Sequence, residues 1–235
     1  MTVTSISKQL EKHIKSVKVF VKDANKKYTV RPILSTALVN ETYVIATDSQ
    51  RLIRIKHNEH IEAPFLHYFN KHVNNLDVSS YPNIERLIPD KYNAQKELTI
   101  NVSEWLEAHE AGIIAANEHV DNVIKLEGNK LSVKPLTMKA IKGNKSDYSS
   151  INKCKGYKDI AVPEFEQISF TYILDNDTEL ENLNYNCQYF IDALKVFKKY
   201  KHKEIQFYFY RNLRPFLLAS EDIEVLILPV RISSY

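Results

Sequence analysis

Apolar residues at Leu10, Ile14, Val17 and Val21 recur at spacings of four, three and four, so they share one face of a helix expected over residues 7–21. Lys8, Lys12, Lys15, Lys18 and Lys22 fall on another face, and Glu11 precedes Lys15 by four residues, a favourable helical pair. Beyond Val21 the period shortens. Strands are expected over 28–30 and, past Pro32, over 33–38. Tyr43-Val44-Ile45-Ala46 and Leu52-Ile53-Arg54-Ile55-Lys56 then read as two strands flanking a Thr47-Asp48-Ser49 turn. Asp48 suits that turn, because its carboxylate can accept backbone N–H bonds and hold the reversal. Residues 64–74 read as a short helix, with Pro64 in the first turn, where its missing donor costs nothing.

Pro82 and Pro89 mark residues 81–90 as extended, and the pattern restarts after them. Domains are therefore expected over 1–80 and 98–235, with 81–97 as the linker. A strand over 98–102 leads into a helix reaching about Ala116, with Ser103 as the expected N-cap and Glu104 and Glu107 in the first turn. Strands over 123–126 and 130–134 bracket Glu127-Gly128-Asn129 as a hairpin. Residues 143–156 are rich in Lys, Ser and Asn and read as a long loop, and 165–174 as a strand. A helix opening at Asn186 or Cys187 runs to about Lys201, and strands over 205–210, 216–219 and 225–230 close the chain. Four helix candidates separated by short antiparallel strands describe an α+β layout, with helices on one face of antiparallel sheets.

The 235 residues are enough to bury a sizeable core, and 26% charged with 44% hydrophobic residues is ordinary for a globular protein. A net charge of +3 requires any contact with nucleic acid to come from local clusters. Only 4 glycines among abundant Asn, Lys and Tyr reflect an AT-rich coding bias. Cys154 and Cys187 have no CxxC spacing and are expected as free thiols. The first residues lack a signal pattern and no 18-residue apolar run exists, so a soluble, cytoplasmic protein without membrane contact is expected.

The basic clusters are specific in kind. In the helix from Cys187, Phe190, Leu194 and Phe197 form the core stripe, and Lys195, Lys198 and Lys199 lie opposite. With Lys8, Lys12 and Lys15 they make two lysine faces without interleaved aromatics. Such faces suit sequence-independent contact with duplex phosphates rather than base readout. A solvated helix face is the plainer alternative, and Glu104, Glu107 and Glu110 set an acidic helix beside them.

Catalytic chemistry has no candidate. The chain carries no Gly-rich phosphate loop, zinc spacing or nucleophile motif. His57 and His60 have only Glu59 and Glu62 nearby, and Asp175, Asp177 and Glu179 lack the glycine and bidentate acid of a calcium loop. Neither an enzyme nor a metal or cofactor site is expected.

Three segments together carry a resemblance: Ala46-Thr47-Asp48-Ser49-Gln50-Arg51-Leu52; Tyr81-Pro82 with Arg86-Leu87-Ile88-Pro89; and Leu226-Ile227-Leu228-Pro229-Val230-Arg231. In this order, with Arg31-Pro32-Ile33-Leu34, the helix and hairpin of 102–133 and the stretch 184–194, the chain resembles the bacterial DNA sliding clamp, the DNA polymerase III beta subunit family. The resemblance implies the DNA-clamp (processivity) fold with the family's first domain absent, and a shortened chain of the kind a phage or mobile element carries. It implies a ring that encircles duplex DNA without sequence preference, binding DNA polymerase and clamp loader through short linear motifs. It also implies a peptide-binding cleft made of Leu34, Thr47, Arg51, Leu52, Pro82, Arg86, Leu87, Leu226, Leu228, Pro229, Val230 and Arg231, with Lys8, Lys12, Lys15, Lys195, Lys198 and Lys199 facing DNA. By itself, the run from Val225 to Val230 reads as a core strand. Rings of this superfamily contain twelve helices, so four per chain imply a homotrimer. The family's Gly-His after Thr-Asp is replaced here by Ser49-Gln50. A truncated mimic that only sequesters clamp-binding proteins is the alternative function, and an unrelated α+β nuclease or deaminase a more distant one.

Overall fold

The structure, a computed structural model, describes residues 6–116, 123–127, 130–133, 170–173, 183–211 and 213–230. The chain divides into two compact units. The first takes residues 1–94 together with 206–208 and 216–228, and the second takes 95–205, 209–215 and 229–235.

In the first unit, helix α1 (Lys8–Val17) continues as a 3-10 turn over Lys18–Phe20. The Ser7 hydroxyl accepts from the Leu10 N–H, capping one of the donors a helix start leaves open. Strands β1 (Thr36–Val39), β2 (Tyr43–Thr47), β3 (Arg51–Lys56) and β4 (Phe65–Tyr68) come from the N-terminal part of the chain, and β11 (Phe216–Ala219) and β12 (Ile223–Ile227) from its last part. They lie in the antiparallel order β4-β1-β2-β3-β12-β11, and residues 206–208 of β10 (Glu204–Phe209) pair with β11. Register decides which side chains share a face. Val44, Ile53, Ile55, Ile223, Val225 and Ile227 are fully buried on the side where α1 packs on β2 and β3 with Leu10, Ile14 and Val17.

Two expectations change here. Residues 64–74 are not a helix: β4 occupies 65–68 and pairs with β1 in four successive positions, from Thr36 opposite Tyr68 to Val39 opposite Phe65. Residues 28–30 form no strand, and β1 begins only at Thr36, after a 3-10 turn over Pro32–Ser35 that places Pro32 at its start.

The second unit holds β5 (Lys96–Asn101), helix α2 (Val102–Ala116), β6 (Val123–Glu127), β7 (Lys130–Val133), β8 (Phe170–Ile173), β9 (Leu183–Asn186) and helix α3 (Cys187–Lys199). Its antiparallel sheet runs β8-β7-β6-β9, and the 123–133 hairpin pairs as expected, Glu127 opposite Lys130. Helices α2 and α3 pack on each other, α2 also touching β7 and β8. The cap of α2 is Asn101, not Ser103: its carboxamide oxygen accepts the N–H groups of Ser103 and Glu104. Asn186 does the same for Gln188 and Tyr189 at the start of α3. The loop expected over 143–156, Cys154, and the acids Asp175, Asp177 and Glu179 lie outside the described residues.

A stack of rings fills the core of this unit. His109 lies parallel to Phe190 with centroids 4.3 Å apart, Trp105 lies beyond, and Tyr185 is tilted against both Phe190 and His109. His109 Nδ1 stands 2.6 Å from the Trp105 carbonyl and Nε2 2.7 Å from the Tyr185 hydroxyl. A carbonyl only accepts, so Nδ1 carries the proton and Nε2 accepts from tyrosine, which describes a neutral ring. Complete burial drives the His109 pKa down to about 4, against a partial upward pull from the Trp105 carbonyl.

Candidate functional site

The 47–52 turn is built by its own polar groups. Asp48 Oδ1 accepts the N–H groups of Gln50 and Arg51 at 2.9 and 3.0 Å, and Thr47 Oγ1 donates to the Arg51 carbonyl at 2.7 Å. Ser49 is thereby held at φ 78°, the left-handed region that ordinarily favours glycine. Leu228 extends the reach of β12 beyond its last paired residue by donating its N–H to the Gln50 carbonyl.

Cross-strand register sets Thr47, Leu52 and Leu226 side by side, with Leu217 and Tyr208 continuing the row. One step along the same face stand Ile45, Arg54 and Glu224. This is the face opposite α1. Residues 81–91 cross it: the Tyr81 hydroxyl donates to the Ile45 carbonyl, Ile84 is buried, and Glu85 and Lys91 reach Arg54 and Glu224. Burial pushes the Tyr81 phenol well up, so it remains a donor.

Nine of the twelve cleft candidates therefore fall in the first unit, and they differ in availability. Thr47, Leu52 and Leu226 are buried at 2–6%, and Leu34 is buried within its 3-10 turn, where its carbonyl accepts from Lys22. Pro82 and Leu228 are half-buried, while Arg86 is exposed and Leu87 is 51% exposed. Arg51 is turned inward. Its Nε donates to Asp48 Oδ2 at 3.0 Å, its Nη2 to the Val19 carbonyl at 2.7 Å, and its guanidinium stacks 4.8 Å from the Phe20 ring centre. In the second unit, Pro229 bridges to Tyr185 and the Val230 N–H donates to the Asn184 carbonyl. Arg231 lies outside the described residues.

The lysine candidates are exposed except Lys12, which is half-buried. Lys15 pairs with Glu11 as its spacing requires, and Lys195 pairs with Glu110 of α2 at 2.9 Å. The acidic helix thus turns at least one carboxylate onto the lysine face of α3. Lys198 and Lys199 occupy the last turn of α3, where the helix dipole favours cations.

No family model matches the chain. A curated relative, the beta sliding clamp of Bacillus subtilis (strain 168), is 30% identical over 156 residues, which are 65% of this chain and 34% of that protein. The solved DNA polymerase sliding clamp from Bacillus subtilis superposes with a TM-score of 0.64 and 22% identity over 96% of this chain and 63% of that one. The pol III beta of Caulobacter crescentus gives 0.67 and 14%, covering 99% and 68%.

The chain has the fold of the bacterial sliding clamps.

It spans about a third of its curated sliding-clamp relative and a little under two thirds of the solved Bacillus subtilis clamp chain. The sliding-clamp fold accounts for the α+β architecture and the antiparallel sheets. Sequence reasoning missed two groups inside it. Arg54 and Glu224 sit at ordinary strand positions, and only the pairing of β3 with β12 reveals that they meet. His109 and Tyr185 are joined only by the tertiary fold, and nothing in their spacing announces it. Among the described residues, no helix is long and apolar enough to cross a membrane.

Proposed function

We propose that this chain is a DNA polymerase processivity factor, a sliding clamp that binds and does not catalyse. The observation that carries this reading is the extent of the likeness, a TM-score of 0.64 to the Bacillus subtilis clamp over 96% of the chain. In this reading copies close into a ring around duplex DNA. The trimer inferred from four helices loses the helix expected over 64–74 as support, so stoichiometry is a matter for measurement.

The lysines of α1 and α3 suit contact with phosphates, where a mobile point charge serves any sequence. Over the buried row Thr47, Leu52 and Leu226, the crossing segment leaves Pro82, Arg86 and Leu87 accessible, which suits an apolar anchor in an extended peptide plus an acidic or carbonyl partner for Arg86. Leu228, in the same unit, completes the set. Polymerase and clamp loader are the partners this implies.

Light scattering of the purified chain, with retention on nicked circular DNA at rising salt, tests the reading. The expected result is a closed oligomer of the 27.3 kDa chain, retained on circular DNA and lost on linearisation. A monomer at all concentrations, on and off DNA, overturns the ring. Peptide binding without DNA retention would instead identify a mimic that sequesters clamp partners.

A further inference from the structure

The face of the first unit opposite α1 carries a cluster of charges beside the apolar row. Arg54 and Glu224 are directly opposed across β3 and β12, with Arg54 Nε 2.5 Å from Glu224 Oε2. Arg54 Nη1 donates to both carboxylate oxygens of Glu85 at 3.0 and 3.1 Å, and Lys91 Nζ reaches Glu224 Oε1 at 2.7 Å. The Arg54 guanidinium lies 4.6 Å from the Tyr43 ring centre, and Lys91 5.7 Å from that of Tyr208. Two carboxylates and two cations thus interlock over aromatic rings.

Burial of Arg54 and Glu224, at 13% and 14% side-chain exposure, makes this a costly place for charge. Burial alone pushes the Glu224 carboxyl up, but hydrogen bonds from Lys91 and Arg54 outweigh it and hold the group below its ordinary range. Such pairs add little net stability, so their usefulness lies in fixing one geometry among several. The geometry at stake is that of residues 81–91. Tyr81 and Ile84 anchor the start of this segment, Glu85 its middle and Lys91 its end. Arg86 and Leu87 stand between the two ionic anchors, with the Leu87 N–H donated to the Ile84 carbonyl.

We infer that Arg54 and Glu224 are positioning residues, which by gripping Glu85 and Lys91 preset the segment presenting Pro82, Arg86 and Leu87 to a bound peptide. The inference rests on the peptide-cleft reading given above. A segment already ordered loses less entropy when a peptide docks, so the grip acts through affinity rather than stability.

Glu85 offers the clean test, because its side chain is 69% exposed and its removal leaves the sheet intact. The probe is a fluorescein-labelled hexapeptide with two leucines two residues apart and an aspartate between them. Its affinity is measured by polarisation for wild type, Glu85→Gln, Glu85→Ala and Glu85→Lys, alongside melting temperature and amide exchange at 86–88. Affinity is expected to fall in that order, about three- to tenfold for Glu85→Ala, with faster exchange at 86–88 and unchanged melting. A wild type that binds while all three variants bind equally overturns the positioning role and leaves the cleft standing. A wild type that does not bind removes the cleft, and the positioning role with it.

Discussion

Asp48 holds Arg51 twice, accepting its backbone N–H through one carboxylate oxygen and its guanidinium Nε through the other. With the Val19 carbonyl and Phe20 ring on its remaining sides, Arg51 supports the fold under the turn instead of reaching for a partner. Asp48→Ala breaks a pair whose side chains are 14% and 7% exposed, and is expected to lower stability by about 2 kcal/mol. Urea denaturation monitored by tyrosine fluorescence measures the loss; a change within error would show that the turn holds without it.

Ser49 is the neighbouring opportunity. A side chain at φ 78° carries strain that glycine lacks, so Ser49→Gly is expected to raise stability by about 0.5–1 kcal/mol despite the freer unfolded chain. Ser49→Val should act in the opposite sense, and thermal melts of the two variants decide it.

Leu87 and Leu226 should separate binding from folding. Leu87 is 51% exposed, so Leu87→Asp is expected to shift stability by about 0.5 kcal/mol at most while abolishing capture of the leucine peptide. Leu226→Asp places a charge in a 6% exposed strand position and is expected to unfold the first unit. Equal peptide affinity for Leu87→Asp and wild type would move the docking site elsewhere.

Acid should weaken the second unit through His109. Its folded pKa of about 4 lies below the ordinary 6.5, so the unfolded chain binds the extra proton more readily. Stability is then full above pH 6.5 and falls as pH drops toward 4, by about 3 kcal/mol in all. His109→Phe, which keeps a stacking ring and cannot titrate, should flatten that slope in denaturant melts run from pH 7.5 to 4.5.

On α3, Lys198→Ala is expected to reduce DNA retention more than Lys195→Ala, because Glu110 already offsets the charge of Lys195. Removing one lysine–phosphate pairing should lower the log–log salt slope by about 0.9. Identical slopes for both variants and wild type would remove this face from the DNA-binding surface.

How much of this was legible in the sequence depended on how local the cause was. The helix from Lys8, the strands around Asp48 and the 123–133 hairpin follow from spacing and turn chemistry, which act within a few residues. β4 was not legible: Phe65-Leu66-His67-Tyr68 has no decisive period, and only pairing with β1 makes it a strand. β9 was missed because Leu183 and Tyr185 alternate over just four residues before the helix begins. Asn101 displaced Ser103 as cap by standing two residues earlier with a longer acceptor arm. For the candidate site, the resemblance to the sliding clamps picked out Thr47, Leu52 and Leu226, which do share a row, but could not distinguish inward Arg51 from outward Arg86.

The pairing of β3 with β12 has a consequence for synthesis. Arg54 and Glu224 are 170 residues apart, and the strand that pairs with β3 is made after every other described strand of the sheet. Until then β3 has a bare edge rich in isoleucine and leucine, an open template for any other strand. Closing so long a loop is slow, so that edge stays open to mispairing for as long as β12 has not docked.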